Sequence, residues 1–164
     1  MEPTLIEKEL NGIIYRFLIF DSPRNDNIHE YIVKLKKYNV HTIIRLSDLT
    51  YDETEFGNNN MIIHSLEYND GTVPSNAIIA FWLDIVTLHF SKINNNDNIC
   101  IGIHCSAGLG RAPVMVCLAL IHAGMDNLEA VSFVRKARPG SINRKQLEFL
   151  RDFKVSKKSK CGIQ

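Results

Sequence analysis

The sequence predicts a single α/β domain with a central, mostly parallel sheet flanked by helices and a phosphate-binding loop between a central strand and a helix. Three observations carry this. Strand-like apolar segments alternate with segments of helical periodicity. One strand candidate, residues 99–103, is apolar almost throughout, as a strand covered on both faces is. It runs into His104-Cys105-Ser106-Ala107-Gly108-Leu109-Gly110-Arg111, a stretch of small residues that ends where helical periodicity begins. In open α/β sheets, ligands bind at the carboxyl ends of strands, where this loop falls.

Residues 12–20 are β-branched and aromatic and read as a strand, ended by Asp21-Ser22-Pro23. Residues 27–38 carry Ile28, Tyr31, Ile32 and Leu35 at helical spacing, with lysines on the other face. Residues 40–46 form a buried strand, 47–60 a polar loop and 61–66 another short strand. Asn69-Asp70-Gly71 is a turn signal. Pro74 opens a long helix, where a proline in the first turn removes no intrahelical bond, and Ile78, Phe81, Trp82, Ile85 and Leu88 make its core stripe. Asn94-Asn95-Asn96-Asp97 breaks the chain before the central strand. Residues 111–123 form the helix after the loop and stop at Gly124. Asp126 with Glu129, and Asn143 with Gln146, have the spacing of helix-starting capping pairs. The first of these helices ends near Arg138-Pro139-Gly140 and the second near Phe153. Residues 1–153 thus form one folded domain, and 154–164 a disordered basic tail.

The chain has 164 residues, 45% hydrophobic and 23% charged, enough for one domain with a real core. No apolar run approaches the ~20 residues of a membrane helix. The start, Met1-Glu2-Pro3-Thr4-Leu5-Ile6-Glu7, is acidic and lacks the apolar stretch of a signal peptide. Cys100, Cys105, Cys117 and Cys161 show neither disulfide-framework spacing nor a Cys-x-x-Cys pair, which fits a reducing compartment. His104 beside Cys105 lacks a second ligand pair at metal spacing, so no metal is expected. No Walker loop is present, and no cofactor is implied. The net charge of +1 is uneven. Residues 135–160 hold ten Lys/Arg against Glu148 and Asp152, a net of +8, so the rest sums to −7. A basic end calls for an anionic partner, and the chemistry of the loop favours a membrane surface over nucleic acid.

That chemistry is thiolate attack on a phosphate ester. Between Cys105 and Arg111 the chain must curl so that successive amides point at one anion, which the glycines permit. Arg111 closes the ring with a planar fork matched to two phosphate oxygens, and the helix start adds partial positive charge. These groups stabilise a thiolate on Cys105. His104 either holds the loop through its ring N–H or is a satisfied core histidine. The leaving oxygen needs a proton, and Asp70, on a turn hinged at Gly71, is the candidate; its carboxylate would then activate water. Asp48 and Asp52 are competing acids. Cys100 and Cys117 read as packing residues. Lysines that would meet extra phosphates of an inositide are absent at Ser106 and Leu109, and a sulfurtransferase fits the Cys105–Arg111 spacing less well.

With Tyr68-Asn69-Asp70-Gly71, Thr50-Tyr51-Asp52, Lys145-Gln146-Leu147 and Ala112-Pro113-Val114 after the loop, the sequence resembles the cysteine-dependent protein tyrosine phosphatases, and within them the prenylated type IVA branch, the phosphatases of regenerating liver. The resemblance spans nearly the whole chain. It implies a dual-specificity-phosphatase-like fold and a phosphotyrosine protein substrate. It also implies weak turnover through a long-lived phosphocysteine, since most relatives carry Ser or Thr where Ala112 stands and that hydroxyl assists the departing sulfur. A binding module is the other reading: the family implies CBS-domain magnesium transport mediators as partners, with phosphorylation of Cys105 as an off switch. The resemblance also allows a homotrimer. The family commonly places a second cysteine, able to form a disulfide with the nucleophile, where Ser47 stands here, and an aspartate where Asn69 stands; Cys100 or Cys117 would have to substitute for the former.

The terminal Cys161-Gly162-Ile163-Gln164 is a loose prenylation box, suited to farnesylation of Cys161. One prenyl group binds membrane only marginally, and Lys154, Lys157, Lys158 and Lys160 supply the second signal. The expected location is the cytoplasmic face of plasma or endosomal membranes.

Overall fold

A five-stranded sheet in the order β1-β2-β5-β3-β4 organises the computed structural model, which describes residues 1–91 and 98–156. In chain order the elements are β1 (Thr4–Leu10), β2 (Ile13–Phe20), α1 (Ile28–Lys37), β3 (Val40–Arg45), α2 (Thr54–Asn58), β4 (Ile62–Ser65), α3 (Asn76–His89), β5 (Cys100–His104), α4 (Arg111–His122), α5 (Asn127–Ala137) and α6 (Arg144–Asp152). β2, β5, β3 and β4 run parallel, and β1 alone is antiparallel. The α/β class, the mostly parallel sheet and the loop between a central strand and a helix are as expected.

Side chains alternate across the sheet and feed two cores. Phe17, Ile19, Ile44, Ile101 and Ile103 pack under α3, α4 and α5. Leu18, Phe20, Val40, Ile43 and Cys100 face the other way, onto α1 and α2. β5 is wholly buried, and Gly102 at its middle permits close packing: a Cβ there would lie 3.0 Å from Val40 Cγ1 and 3.2 Å from Phe20 Cε1. α4 is buried from Arg111 to Ile121, as a helix apolar all round must be.

One strand was not expected at all, and three expectations need correction. The acidic N-terminus forms β1, paired to β2 from Thr4↔Ile19 to Leu10↔Ile13. Its turn is Asn11-Gly12, both at positive φ (54° and 78°), the conformation that matches the twist of a tight hairpin. That dipeptide was a legible signal, and the charged residues of β1 masked the strand around it. First, the polar loop 47–60 contains the short helix α2, seated by Phe56 in the core. Second, α3 begins at Asn76, capped by Ser75 Oγ accepting from the Ile78 amide, with Pro74 outside it. Its buried stripe is Ile79, Trp82, Leu83, Ile85 and Val86, while Phe81 and Leu88 are exposed at 49% and 75%. The stripe sits one position off the expected one because Trp82 fixes the helix rotation, its Nε1 donating to Met115 O on α4 at 2.7 Å. Third, Val155, assigned to the tail, packs partly buried against the core. The Asn94–Asp97 break, Lys157, Lys158, Lys160 and Cys161 lie outside the described residues.

Candidate active site

β5 ends at His104, and the loop from Cys105 to Gly110 leads into α4 at Arg111. Every carbonyl of this loop is bound. Cys105 O meets His104 Nδ1 at 3.3 Å, and Ser106 O accepts from the Ser22 amide at 3.0 Å. Ala107 O and Gly108 O accept from Arg138 Nη2 and Nε at 3.4 and 2.7 Å. Leu109 O accepts from the Ile142 amide at 2.8 Å, and Gly110 O from the Val114 amide at 3.1 Å. With the carbonyls so engaged, the amides of residues 106–110 are left to the concave side, and among the described residues none of them donates a hydrogen bond. A nest of this kind binds one anion. Gly108 has φ +73°, and a Cβ there would lie 2.7 Å from Arg138 Nη2 and 2.9 Å from Phe20 O. No other residue fits that corner.

Cys105 is buried. Arg111, also buried, is held by its own fork: Nη1 donates to Leu46 O (3.2 Å) and Tyr68 O (2.9 Å), and Nη2 to Ser106 Oγ (3.0 Å). Its Nε lies 3.5 Å from Asp70 Oδ1. Asp70 is 77% exposed at the rim, beside Gly71 at φ +73°. Ser22, Ser47, Asp48, Tyr68, Asp70, Ser106 and Arg111 line one cleft of about 450 Å³. The structure thus brings Ser106, Arg111 and Asp70 together on one cleft, with Cys105 buried next to Ser106. Asp48 shares the cleft; Asp52 does not line it, and instead accepts from Thr54 N and Thr54 Oγ1 at the start of α2, which holds its carboxyl below the usual range.

His104 is fully buried, with Nδ1 facing Cys105 O and Nε2 2.7 Å from Tyr51 Oη. A carbonyl only accepts, so Nδ1 carries the proton and Nε2 accepts from the tyrosine hydroxyl. Burial pushes His104 down to about 4 and pushes Tyr51 up, so both are neutral at pH 7. His104 is therefore both a core residue and a brace on the loop. Ala112 is buried directly after Arg111 and brings no hydroxyl.

Among the described residues, neither Cys100 nor Cys117 stands beside Cys105. Cys100 begins β5, five residues away along an extended strand, about 16 Å. Cys117 points to Ala130 O at 3.7 Å, between α4 and α5. Burial pushes Cys100 up to about 12 and Cys117 up as well, which keeps both protonated. They are packing residues.

Several residues on which the site depends were not read as such from the sequence. Arg138 looked like part of a basic run but is buried and donates to Gly108 O, Ala107 O, Glu2 O and Thr4 Oγ1. Arg135 is likewise spent on Ser141 O and Ile142 O, so the basic end is less basic on its surface than its count. Ile142 takes φ +67°, a strained setting for a β-branched residue, held between Arg135 and Leu109 O. Asn143 Nδ2 donates to Gly71 O (3.1 Å) and Gln146 Nε2 to Thr72 O (3.3 Å), tying the start of α6 to the Asp70 turn. Arg45 pairs with Glu53 and Glu67 and steadies the segment before Tyr68. Among the described residues no cluster could hold a metal ion.

The family model for protein-tyrosine phosphatase matches residues 17–155. A Dictyostelium discoideum protein named "Probable protein tyrosine phosphatase type IVA A" is 44% identical over 149 residues, covering 91% of this chain and 88% of its own length. The Drosophila melanogaster PRL-1 phosphatase is 39% identical over 170 residues, covering 99% and 93%. A solved structure from Leishmania major, described as a protein tyrosine phosphatase, superposes with a TM-score of 0.83 at 31% identity, over 94% of this chain and 100% of its own. The fold is the dual-specificity-phosphatase-like one that the resemblance implied. Identity of this extent over nearly the whole chain, with a family model that runs from within β2 through the loop to the end of α6, places the chain among the cysteine-type protein tyrosine phosphatases, in their type IVA (PRL) branch.

Proposed function

We propose that this phosphatase works through a phosphocysteine on Cys105 that forms faster than it breaks down. The loop amides and Arg111 hold the phosphoryl oxygens of a phosphotyrosine protein. Cys105 Sγ attacks phosphorus and Asp70 protonates the leaving oxygen. Water then attacks phosphorus, the Asp70 carboxylate takes its proton, and sulfur leaves as thiolate. The observation that supports this reading is the convergence of the oriented Arg111 fork, Ser106 and Asp70, 3.5 Å from Arg111 Nε, on one cleft over unbonded amides, with Cys105 buried next to Ser106 at the start of that loop. Ala112 supports the slow second step, because a buried alanine lends the departing sulfur no donor.

The site residues carry a second reading for the same reason. A long-lived adduct would switch a binding surface, so the cleft would also clamp an acidic group of a CBS-domain magnesium transport mediator and release it when Cys105 is phosphorylated. Farnesylation of Cys161 next to Lys154, Lys157, Lys158 and Lys160 would hold the protein, as a homotrimer or monomer, on the cytoplasmic face of plasma or endosomal membranes.

The test is a single-turnover reaction of reduced protein with a chromogenic aryl phosphate, read by product burst and intact mass. The expected result is a stoichiometric burst, a phosphate adduct that disappears in Cys105→Ser, and turnover about tenfold faster in Ala112→Ser, the worth of one hydrogen bond to a charged group. A steady rate with no burst and no adduct would overturn the slow-intermediate reading.

A further inference from the structure

The Asp70 side chain is mostly exposed, and its ion pair with Arg111 Nε, at 3.5 Å, is too long and too open to water to hold a turn in place. The turn closes on itself through Thr72, whose amide and Oγ1 both donate to Asn69 O, at 3.3 and 2.6 Å. Before Asp70, Tyr68 O accepts from Arg111 Nη1. After it, the next two carbonyls are taken up by the start of α6. Asn143 Nδ2 donates to Gly71 O at 3.1 Å, and Gln146 Nε2 to Thr72 O at 3.3 Å. The same corner is fastened to the phosphate loop. The Ile142 amide donates to Leu109 O at 2.8 Å, and a Cβ on Gly110 would lie 3.3 Å from Gln146 Nε2. Gln146 is fully buried, and its Oε1 accepts from the Asn143 amide at 3.0 Å. Residues 142–146 are therefore a spacer, with the phosphate loop on one side and the Asp70 turn on the other.

We propose that Asn143 and Gln146 are positioning residues for proton transfer, which hold the Asp70 turn over the phosphate loop where its carboxyl meets the leaving oxygen. This rests on the reading of Asp70 as the acid. In the first chemical step Cys105 Sγ bonds to phosphorus, and the bond from phosphorus to the ester oxygen breaks. Its electron pair stays on that oxygen, and the Asp70 proton passes to it. The need for the proton grows with the basicity of the leaving oxygen, and its delivery depends on the placement of the carboxyl. Gly71, at φ +73° and with no side chain, is the turn's most pliable point, and its carbonyl is the one that Asn143 holds. Asn143 and Gln146 do not line the cleft, so they act through Asp70 and not on the substrate.

The experiment is kcat/KM for a series of aryl phosphates from dinitrophenyl to phenyl phosphate, with vanadate affinity and thermal melting beside it. The proteins are the wild type, Asn143→Ser, Gln146→Glu, Asp70→Asn and the double variant of Asn143→Ser with Asp70→Asn. kcat/KM reads the steps up to cleavage of the ester bond. Serine keeps an oxygen at the N-cap for the Gln146 amide, so α6 stays capped, but lacks the N–H that binds Gly71 O. The expected result for Asn143→Ser is a loss that grows with leaving-group basicity, from less than about twofold on dinitrophenyl phosphate to about fivefold on phenyl phosphate, the order of one hydrogen bond. Its vanadate affinity stays within about twofold of the wild type, because the phosphate loop is intact. Gln146→Glu keeps the oxygen that accepts from the Asn143 amide and loses the donor to Thr72 O, so it should give the same trend. In the Asp70→Asn background Asn143→Ser should add little, since the proton it serves is gone. Equal losses on every substrate, no loss on phenyl phosphate, or a loss matched by a fall in vanadate affinity and melting temperature would overturn this inference alone. An Asp70→Asn variant whose own loss does not grow with leaving-group basicity would overturn the reading of Asp70 as the acid, and this inference with it.

Discussion

Arg138 shows how much of the site rests on a side chain that touches no substrate. Its guanidinium is buried and shared between two loop carbonyls and the N-terminal segment, at Glu2 O and Thr4 Oγ1. By binding carbonyls from outside it turns the loop's amides inward. Arg138→Ala leaves those carbonyls unpaired, so an unfolding free energy lower by about 2–4 kcal/mol is expected, at roughly 1 kcal/mol per lost bond plus desolvated acceptors. Urea denaturation measures this, and oxyanion affinity, read with vanadate, should fall in parallel. A lysine has a single charged head and no fork, so Arg138→Lys should restore little of either.

Among the elements, α3 separates a helix's periodicity from its orientation. Five apolar positions at helical spacing named the helix, but two of them, Phe81 and Leu88, face outward. Trp82, fully buried, packs against Phe17 at 5.8 Å between ring centroids and is bonded to Met115 O. Trp82→Ala should therefore cost about 3–5 kcal/mol in chemical denaturation, while Phe81→Ser and Leu88→Ser stay within about 0.5 kcal/mol of the wild type. Comparable losses at all three positions would mean that α3 turns a different face to the core. α6 teaches the complementary lesson. Its capping box, Asn143 with Gln146, was legible as a helix start, and the structure shows the same two side chains reaching to Gly71 O and Thr72 O. One motif both starts a helix and holds the Asp70 turn.

For the whole molecule, His104 links stability to pH. Its folded value, about 4, lies below the ordinary 6.5, so the unfolded chain binds a proton that the native state refuses. Stability from this group is fully present above pH 6.5 and is lost as the pH falls toward 4, by on the order of 3 kcal/mol. Glu67, held below the usual carboxylate range by Arg45, loses stability in the same direction at lower pH. The expected outcome is a urea midpoint that falls from pH 7 to pH 5, with a His104 ring resonance that does not titrate across that interval. A His104 resonance with a midpoint near 6.5 would contradict the neutral, doubly bonded ring.

The sequence by itself determined the α/β class, the strand–loop–helix unit and the chemical types of Cys105, Arg111 and Asp70, because each of these is written in local pattern: periodicity, small residues that permit a tight curl, and spacing along one loop. It also held the Asn11-Gly12 hairpin, obscured by the charges of an edge strand. Only the tertiary structure decided what lies around the loop. Arg138, Ser47, Tyr51 and Gln146 come to it from elements distant in the chain, and whether an arginine is a surface charge or a buried brace depends on which carbonyls the fold turns toward it. Local sequence specifies geometry through steric limits on one residue and its neighbours, whereas burial and partnership are set by the packing of all elements at once.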